Sequence, residues 1–284
     1  MKKSIAVILT CHNRKQKTIT CLNALFGSML PDHYGISVYL VDDGSTDGTT
    51  EAVSLNFPQV NIIKGDGSLF WNQGMRLAWE SAVKSQPFDY YLWLNDDTII
   101  DEDAITHLVL CSEEAKTNNR QAAIIVSSCR NEEKSNVFSY GGKNDSEGPV
   151  LPNGSLQECR YMNGNLVLIP NTIYKVLGNL SNKYTHGMGD YDYGLRAISA
   201  GFKLYVSKKF IATCPVNEGI PGWCNPNNSL KKRWQLLHSP LGLNIEEYKV
   251  FKKQFWPNQY YATIIKAYSK CIFPTFYSYL KKNN

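Results

Sequence analysis

The chain has no stretch of about 18 apolar residues free of charge or proline, the length a helix needs to cross a bilayer. That argues against a polytopic membrane protein. It has no internal repeat and no low-complexity tract, which removes repeat arrays. Its eight cysteines (11, 21, 111, 129, 159, 214, 224 and 271) form no Cys-x-x-Cys pair and have no histidines at matching spacing. A structural zinc site is therefore not expected. The start, MKKSIAVILTCHNRKQ, opens like a signal peptide, but the apolar run over 5–10 is too short and no small-residue cleavage site follows. The run reads as a buried strand, and the thiols as reduced groups of a cytoplasmic protein.

What is present is an ordinary globular composition. Of 284 residues, 43% are hydrophobic and 19% charged, which excludes a wholly disordered, collagen-like or disulfide-dense chain. The net charge of +5 is unevenly placed: residues 225–284 carry ten Lys/Arg against Glu246 and Glu247. That tail is +8 and the remaining 224 residues are −3.

Apolar runs of strand length alternate with helical patterns through the first half. Strands are expected over 5–10, 36–41, 60–63 and 90–94, with helices around 19–29 and 75–83. Short links between them imply βαβ units and a mostly parallel sheet, where ligands bind beyond the carboxyl ends of the strands. The polar clusters fall there: 10–14, 42–47 and 95–97. Further on, 122–127 reads as a strand, 131–155 as loop with a hairpin, 162–169 as apolar again, and 190–200 as a helix closed by Gly201.

Three motifs carry chemistry. In VDDGSTDGT (41–49), Asp42 and Asp43 sit adjacent at a strand end, where two like charges are rarely placed for stability alone; Asp47 is either a ligand contact or a helix cap. In LNDDT (94–98), clustered carboxyl oxygens suit a hard divalent cation, the alternative being a helix cap at Asp97 or Thr98. In GDYDYGLRA (189–197), Asp192 and Arg196 are four apart and can pair on one helix face. Asp190 has no such partner and could take a proton from an incoming hydroxyl, or serve as an N-cap. His186 is either a metal or substrate contact or a structural histidine.

Five segments in order, TCHNR (10–14), VDDGSTDGT (41–49), GDGSLFWNQG (65–74), LNDDT (94–98) and GDYDYGLRA (189–197), resemble the family 2 glycosyltransferases of the GT-A fold. They span residues 5 to about 215. The resemblance implies an α/β, Rossmann-like mixed and mostly parallel sheet flanked by helices. Residues 1–224 would form the catalytic domain, 1–100 its nucleotide-binding half and 101–224 its acceptor half, with 225–284 a helical extension. Thr10 and His12 would contact the nucleotide base, and Asp42 or Asp43 the base or ribose. Arg14 and Asp96 join the nucleotide-binding set, as do Asn72 and Gly74 in the loop that closes over the donor. Asp97, helped by Asp96, would carry Mn²⁺ or Mg²⁺, with Asn95 and His186 as further ligands. Asn95 stands where the family carries an Asp, and Gly189 where it carries a Glu. The stretch 214–219 lacks the histidine that many relatives supply to the metal. Asp190 aligns with the general base and Asp192 is the runner-up.

The implied reaction is single-displacement, inverting transfer of a hexose or deoxyhexose from a nucleotide diphosphate, UDP first and dTDP second. The acceptor would be a hydroxyl of a glycan or lipid-linked acceptor in surface polysaccharide synthesis. Two rivals are a sugar-nucleotide nucleotidyltransferase, which needs a Gly-rich loop that CHNRKQ lacks, and a non-catalytic binding module. The tail holds 12 of the 34 aromatics among its basic residues. It reads as an interfacial helix on an anionic membrane, kinked at Pro274, or as a helical pair packed on the domain. A peripheral site at the inner face of the membrane follows from the first reading. No nucleic-acid module accompanies the charge.

Overall fold

The computed structural model describes residues 2–133, 135–145, 148–217 and 219–276. Glu218, and the tail residues Tyr277, Tyr279, Lys281 and Lys282, lie outside the described residues. The chain divides into two units: residues 1–181 with 190–216, and residues 182–189 with the chain from Asn217 onward.

The first unit begins with three strand–helix repeats: β1 (Lys3–Cys11), α1 (Lys15–Phe26), β2 (Tyr34–Asp42), α2 (Thr49–Asn56), β3 (Asn61–Lys64) and α3 (Phe70–Ser85). β4 (Tyr90–Leu94), the short β5 (Ile99–Ile100) and α4 (Ala104–Asn119) follow. Next come β6 (Ala123–Arg130), β7 (Gly142–Asn144), β8 (Gly148–Pro149), β9 (Gln157–Cys159), β10 (Tyr161–Met162) and β11 (Leu166–Pro170). The unit ends with α5 (Asn171–Leu177), α6 (Gly189–Ser199) and β12 (Lys203–Thr213).

One sheet runs β3-β2-β1-β4-β11-β6-β12-β5, with β9 pairing β12. β1, β2, β3 and β4 are mutually parallel, as are β6 and β12. β11 runs antiparallel between β4 and β6. The mixed, mostly parallel sheet is the one expected. Its central strands are apolar throughout because helices cover both faces. On one face Val7, Leu22, Leu92 and Leu108 pack together; on the other Ile8, Met75, Trp79, Trp93 and Tyr193 do. The expected hairpin within 131–155 is part of a small sheet, β10-β7-β8.

In the second unit, α7 (Leu230–Leu237), α8 (Ile245–Phe255) and α9 (Tyr260–Ile272) close on Leu237, Ile245, Ile264, Ala267 and Cys271. Arg233 is buried and donates to the backbone carbonyls of Asn228, Cys271 and Ile272. One of the tail's ten cations is thus a clamp on the end of α9. α9 ends at Ile272, Phe273 is non-helical and helical backbone resumes at Pro274, so the tail helix is interrupted at the expected proline.

Candidate active site

β1, β2 and β4 are parallel, so their carboxyl ends deliver Cys11, Asp42 and Leu94 to one edge of the sheet. The loops beyond them build the site. Asp42 and Asp43 are both buried, and both serve loop architecture. Asp42 Oδ1 accepts from the Ser45 amide at 2.9 Å, and its Oδ2 accepts from the Thr50 hydroxyl. Asp43 Oδ1 and Oδ2 accept from the amides of Gly67 (2.8 Å) and Phe70 (2.9 Å). Asp43 therefore organises the loop that leads into α3. Phe70 holds φ +54°, a costly conformation for a bulky residue, and the hydrogen bond its amide donates to Asp43 Oδ2 fixes it there. Asp47 caps its own turn: it accepts from the Thr49 side chain and amide and from the Lys15 amide, which hold its carboxyl below the usual range.

His12 Nδ1 lies 2.6 Å from the Asp43 carbonyl. A carbonyl only accepts, so Nδ1 carries the proton, and in the neutral ring Nε2 is left to accept from Asn13 Nδ2 at 3.1 Å. Thr10 is almost fully buried against α3. A Cβ on Gly74 would come within 2.2 Å of Thr10 Oγ1, so Gly74 is there to let α3 cross β1. Asn72 is fully buried and donates to the Ser181 carbonyl at 2.8 Å. Asn72 and Gly74, expected to face the nucleotide, are both packed inside, and Phe70, Trp71 and Gln73 are the partly exposed residues of that turn.

The acidic motif sits at the end of β4. Arg14 Nη1 bridges Asp96 Oδ1 at 3.1 Å and Asp97 Oδ2 at 2.9 Å, and Lys17 stands 4.0 Å from Asp97. Asp96 is 5% exposed. Burial, with repulsion from Asp97, pushes its carboxyl up to about 6 against the pull of Arg14. Its Oδ2 is buried and accepts no hydrogen bond. Cys214 Sγ lies 3.8 Å from Asp97 Oδ1, and burial followed by the Asp97 charge pushes that thiol up to about 11.

These observations test the divalent cation that the family implies. Two adjacent carboxylates with one orphaned oxygen fit Mn²⁺ or Mg²⁺, which is commonly held by one or two carboxylates together with substrate phosphates. Of the further expected ligands, Asn95 Oδ1 accepts from Trp71 Nε1 at 2.7 Å, and His186 groups with the second unit. Among the described residues no three His, Cys, Asp or Glu side chains are gathered as a cation's ligands would be.

At the start of α6, Asp190 Oδ1 accepts from the Tyr191 amide at 2.8 Å and Oδ2 from the Gly164 amide at 3.0 Å. Burial pushes its carboxyl up to about 6, against those two amides, its own amide and the charge of Lys143. Asp192 is 1% exposed and accepts from Arg196 Nε at 2.7 Å. The two residues form the same-face ion pair that their spacing allows. Trp71 joins the two acidic centres: its indole bonds Asn95 and covers Gly164, where an added Cβ would meet ring carbons at 2.6 and 2.8 Å. Sequence reading passes over Trp71 and Cys214, because each acts on a residue distant in the chain.

A mixed α/β sheet with carboxylates beyond its parallel strand ends is the GT-A architecture of nucleotide-sugar-dependent transferases. Residues 6–154 match the model of Glycosyl transferase family 2, and the chain belongs to that family. It is 25% identical over 122 residues to a poly-beta-1,6-N-acetyl-D-glucosamine synthase of Staphylococcus epidermidis, which covers 43% of this chain and 28% of that protein. The chain thus spans under a third of that relative's length. Solved structures share the fold. S. aureus TarS 1–349 in complex with UDP-GlcNAc has a TM-score of 0.56 at 15% identity, covering 86% of this chain and 66% of that one. A mannosyltransferase from Pyrobaculum calidifontis in complex with GDP-Man and Mn²⁺ has a TM-score of 0.51 at 14% identity, covering 82% and 59%.

Proposed function

We propose that the chain transfers a hexose or deoxyhexose, with inversion, from a nucleotide diphosphate donor to a hydroxyl of a glycan or lipid-linked acceptor in surface polysaccharide synthesis. UDP is the first nucleotide to test and dTDP the second. The observation that carries this reading is Asp190, a partly buried carboxylate held by two backbone amides and poised near 6 by desolvation. A base so placed is charged at neutral pH and gains a proton readily. Asp190 takes the proton of the acceptor hydroxyl as its oxygen bonds to the anomeric carbon. The bond from that carbon to the diphosphate breaks, and its electron pair leaves with the diphosphate.

His12 and the loops shaped by Asp42 and Asp43 form the floor for the nucleotide, with Thr10 packed beneath it, and Arg14 offers a guanidinium beside the acidic pair. A cation bound at Asp96 and Asp97 would offset charge developing on the diphosphate. Family membership sets the nucleotidyltransferase rival aside, and the held, desolvated base counts against a module without turnover. A thermal-shift panel of UDP, dTDP, GDP and CMP with and without Mn²⁺ tests the donor: a bound ligand raises the melting temperature by mass action. One nucleoside diphosphate should stabilise the chain, with its Mn²⁺-dependent part lost in Asp97→Ala. No shift from any nucleotide would contradict the proposal.

The second unit supports a peripheral seat on an anionic membrane at its cytoplasmic face. α9 buries Ile264, Ala267 and Cys271 but leaves Tyr261, Ile265 and Ile272 exposed, followed by exposed Phe273 and Phe276. Lys266 shares the exposed side. Aromatic and aliphatic side chains flanked by lysine suit the headgroup boundary of anionic lipid. Among the described residues no helix is long and apolar enough to cross a membrane.

A further inference from the structure

Asn95 departs from the family's acidic motif, and its surroundings give that departure a purpose. Trp71 lies in the first turn of α3, directly after the strained Phe70. Its ring stands edge-on to Trp93 at 6.1 Å and lies over Gly164. With the ring wedged in this way, Nε1 meets the Asn95 side chain at 2.7 Å. An indole N–H can only donate, so the amide atom facing it must be the oxygen. The amide is therefore turned one way, with Nδ2 pointing away from Trp71. Among the described residues nothing is hydrogen-bonded to that Nδ2, and Asn95 is only partly buried.

The chemistry at this position is thus inverted. A carboxylate would accept from hydroxyls or hold a cation, whereas an amide NH₂ does neither and donates to oxygen. A third carboxylate beside Asp96 and Asp97 would also face the single bridging guanidinium of Arg14. We infer that Asn95 is a hydrogen-bond donor to an oxygen of the sugar diphosphate, and that Trp71 is the positioning residue that sets the amide for it. This rests on the nucleotide-sugar reading above. The acceptor oxygen belongs either to a phosphate or to a sugar hydroxyl.

The test is a double-mutant cycle read by calorimetric binding of UDP and UDP-GlcNAc, or of dTDP and dTDP-glucose if the wild type prefers thymidine. Asn95→Asp is nearly isosteric and should weaken binding of the sugar nucleotide at least tenfold. A loss shared by the bare diphosphate puts the acceptor on phosphate; a loss confined to the sugar nucleotide puts it on the sugar. Trp71→Phe should cost a few-fold in the wild-type background, because the amide can then flip. It should cost nothing further in Asn95→Asp, because the two carboxylate oxygens are equivalent. A purely structural tryptophan would cost the same in both backgrounds and would overturn the positioning role. Unchanged or tighter binding by Asn95→Asp, with Mn²⁺ present, would overturn the donor role and return position 95 to the cation. If the wild type binds no nucleotide of the thermal-shift panel, the nucleotide-sugar reading falls and this inference falls with it.

Discussion

Asp190 and Arg14 show how much of this site is decided by single side chains. Asp190 binds its proton more tightly in the folded chain than a free carboxylate does. Its contribution to stability is therefore full below about pH 4 and is lost as pH rises through about 6. Asp190→Asn should match the wild type near pH 4 and exceed it at pH 8 by about 1–3 kcal/mol, read from urea midpoints. Gly164, Tyr191 and Lys143 face the same carboxylate, so a gain at pH 8 must survive their loss of an anionic partner. Arg14 is the counter-charge of Asp96 and Asp97. Arg14→Met should cost about 1 kcal/mol, since the guanidinium is half exposed while Asp96 is not. Mn²⁺ should then raise the melting temperature of Arg14→Met more than that of the wild type, because the acidic pair is left without its cation. Equal shifts would place the added metal elsewhere.

At the scale of elements, α3 crosses β1 closely at Gly74 and Thr10. Gly74→Ala would drive a methyl into Thr10 Oγ1 and should destabilise by about 1–3 kcal/mol, as overpacking does. Thr10→Ala should relieve part of that cost, and an additive double variant in urea titrations would show that the two do not touch. These elements were largely legible in the sequence. Buried parallel strands read as unbroken apolar runs, which is why β1, β2 and β4 and the polar loops behind them could be placed. β12 was not, because Ser207, Lys208 and Lys209 interrupt its apolar pattern where the strand bulges. Those lysines pair with Glu114 and Asp103 of the region around α4, a compensation that only the fold displays. Likewise, strand-end acids announce a site but not which way they turn. Asp42 and Asp43 spend their oxygens on amides of 45, 67 and 70, so their nearest work is holding loops. Asp190 was visible as the acid with no helical partner. Trp71 was not, since its meaning depends on Gly164 and Asn95 meeting it in space.

For the whole molecule, the proposal assigns chemistry to the first unit and attachment to the second. Ile265→Asp with Phe273→Asp should abolish co-sedimentation with phosphatidylglycerol vesicles, while nucleotide binding by the first unit stays intact. Binding to neutral phosphatidylcholine should be weak from the start, and equal binding to both lipids would contradict the role of the lysines. The central claim concerns the base. It is tested most directly by the rate of nucleoside diphosphate release from the donor sugar nucleotide, followed against pH for the wild type and Asp190→Asn, with nucleotide affinity measured alongside. The wild-type rate should rise through about pH 6 and level off, and Asp190→Asn should fall by about 10²–10⁴ with nucleotide affinity unchanged. A variant that keeps the wild-type rate and profile would contradict the assignment of Asp190.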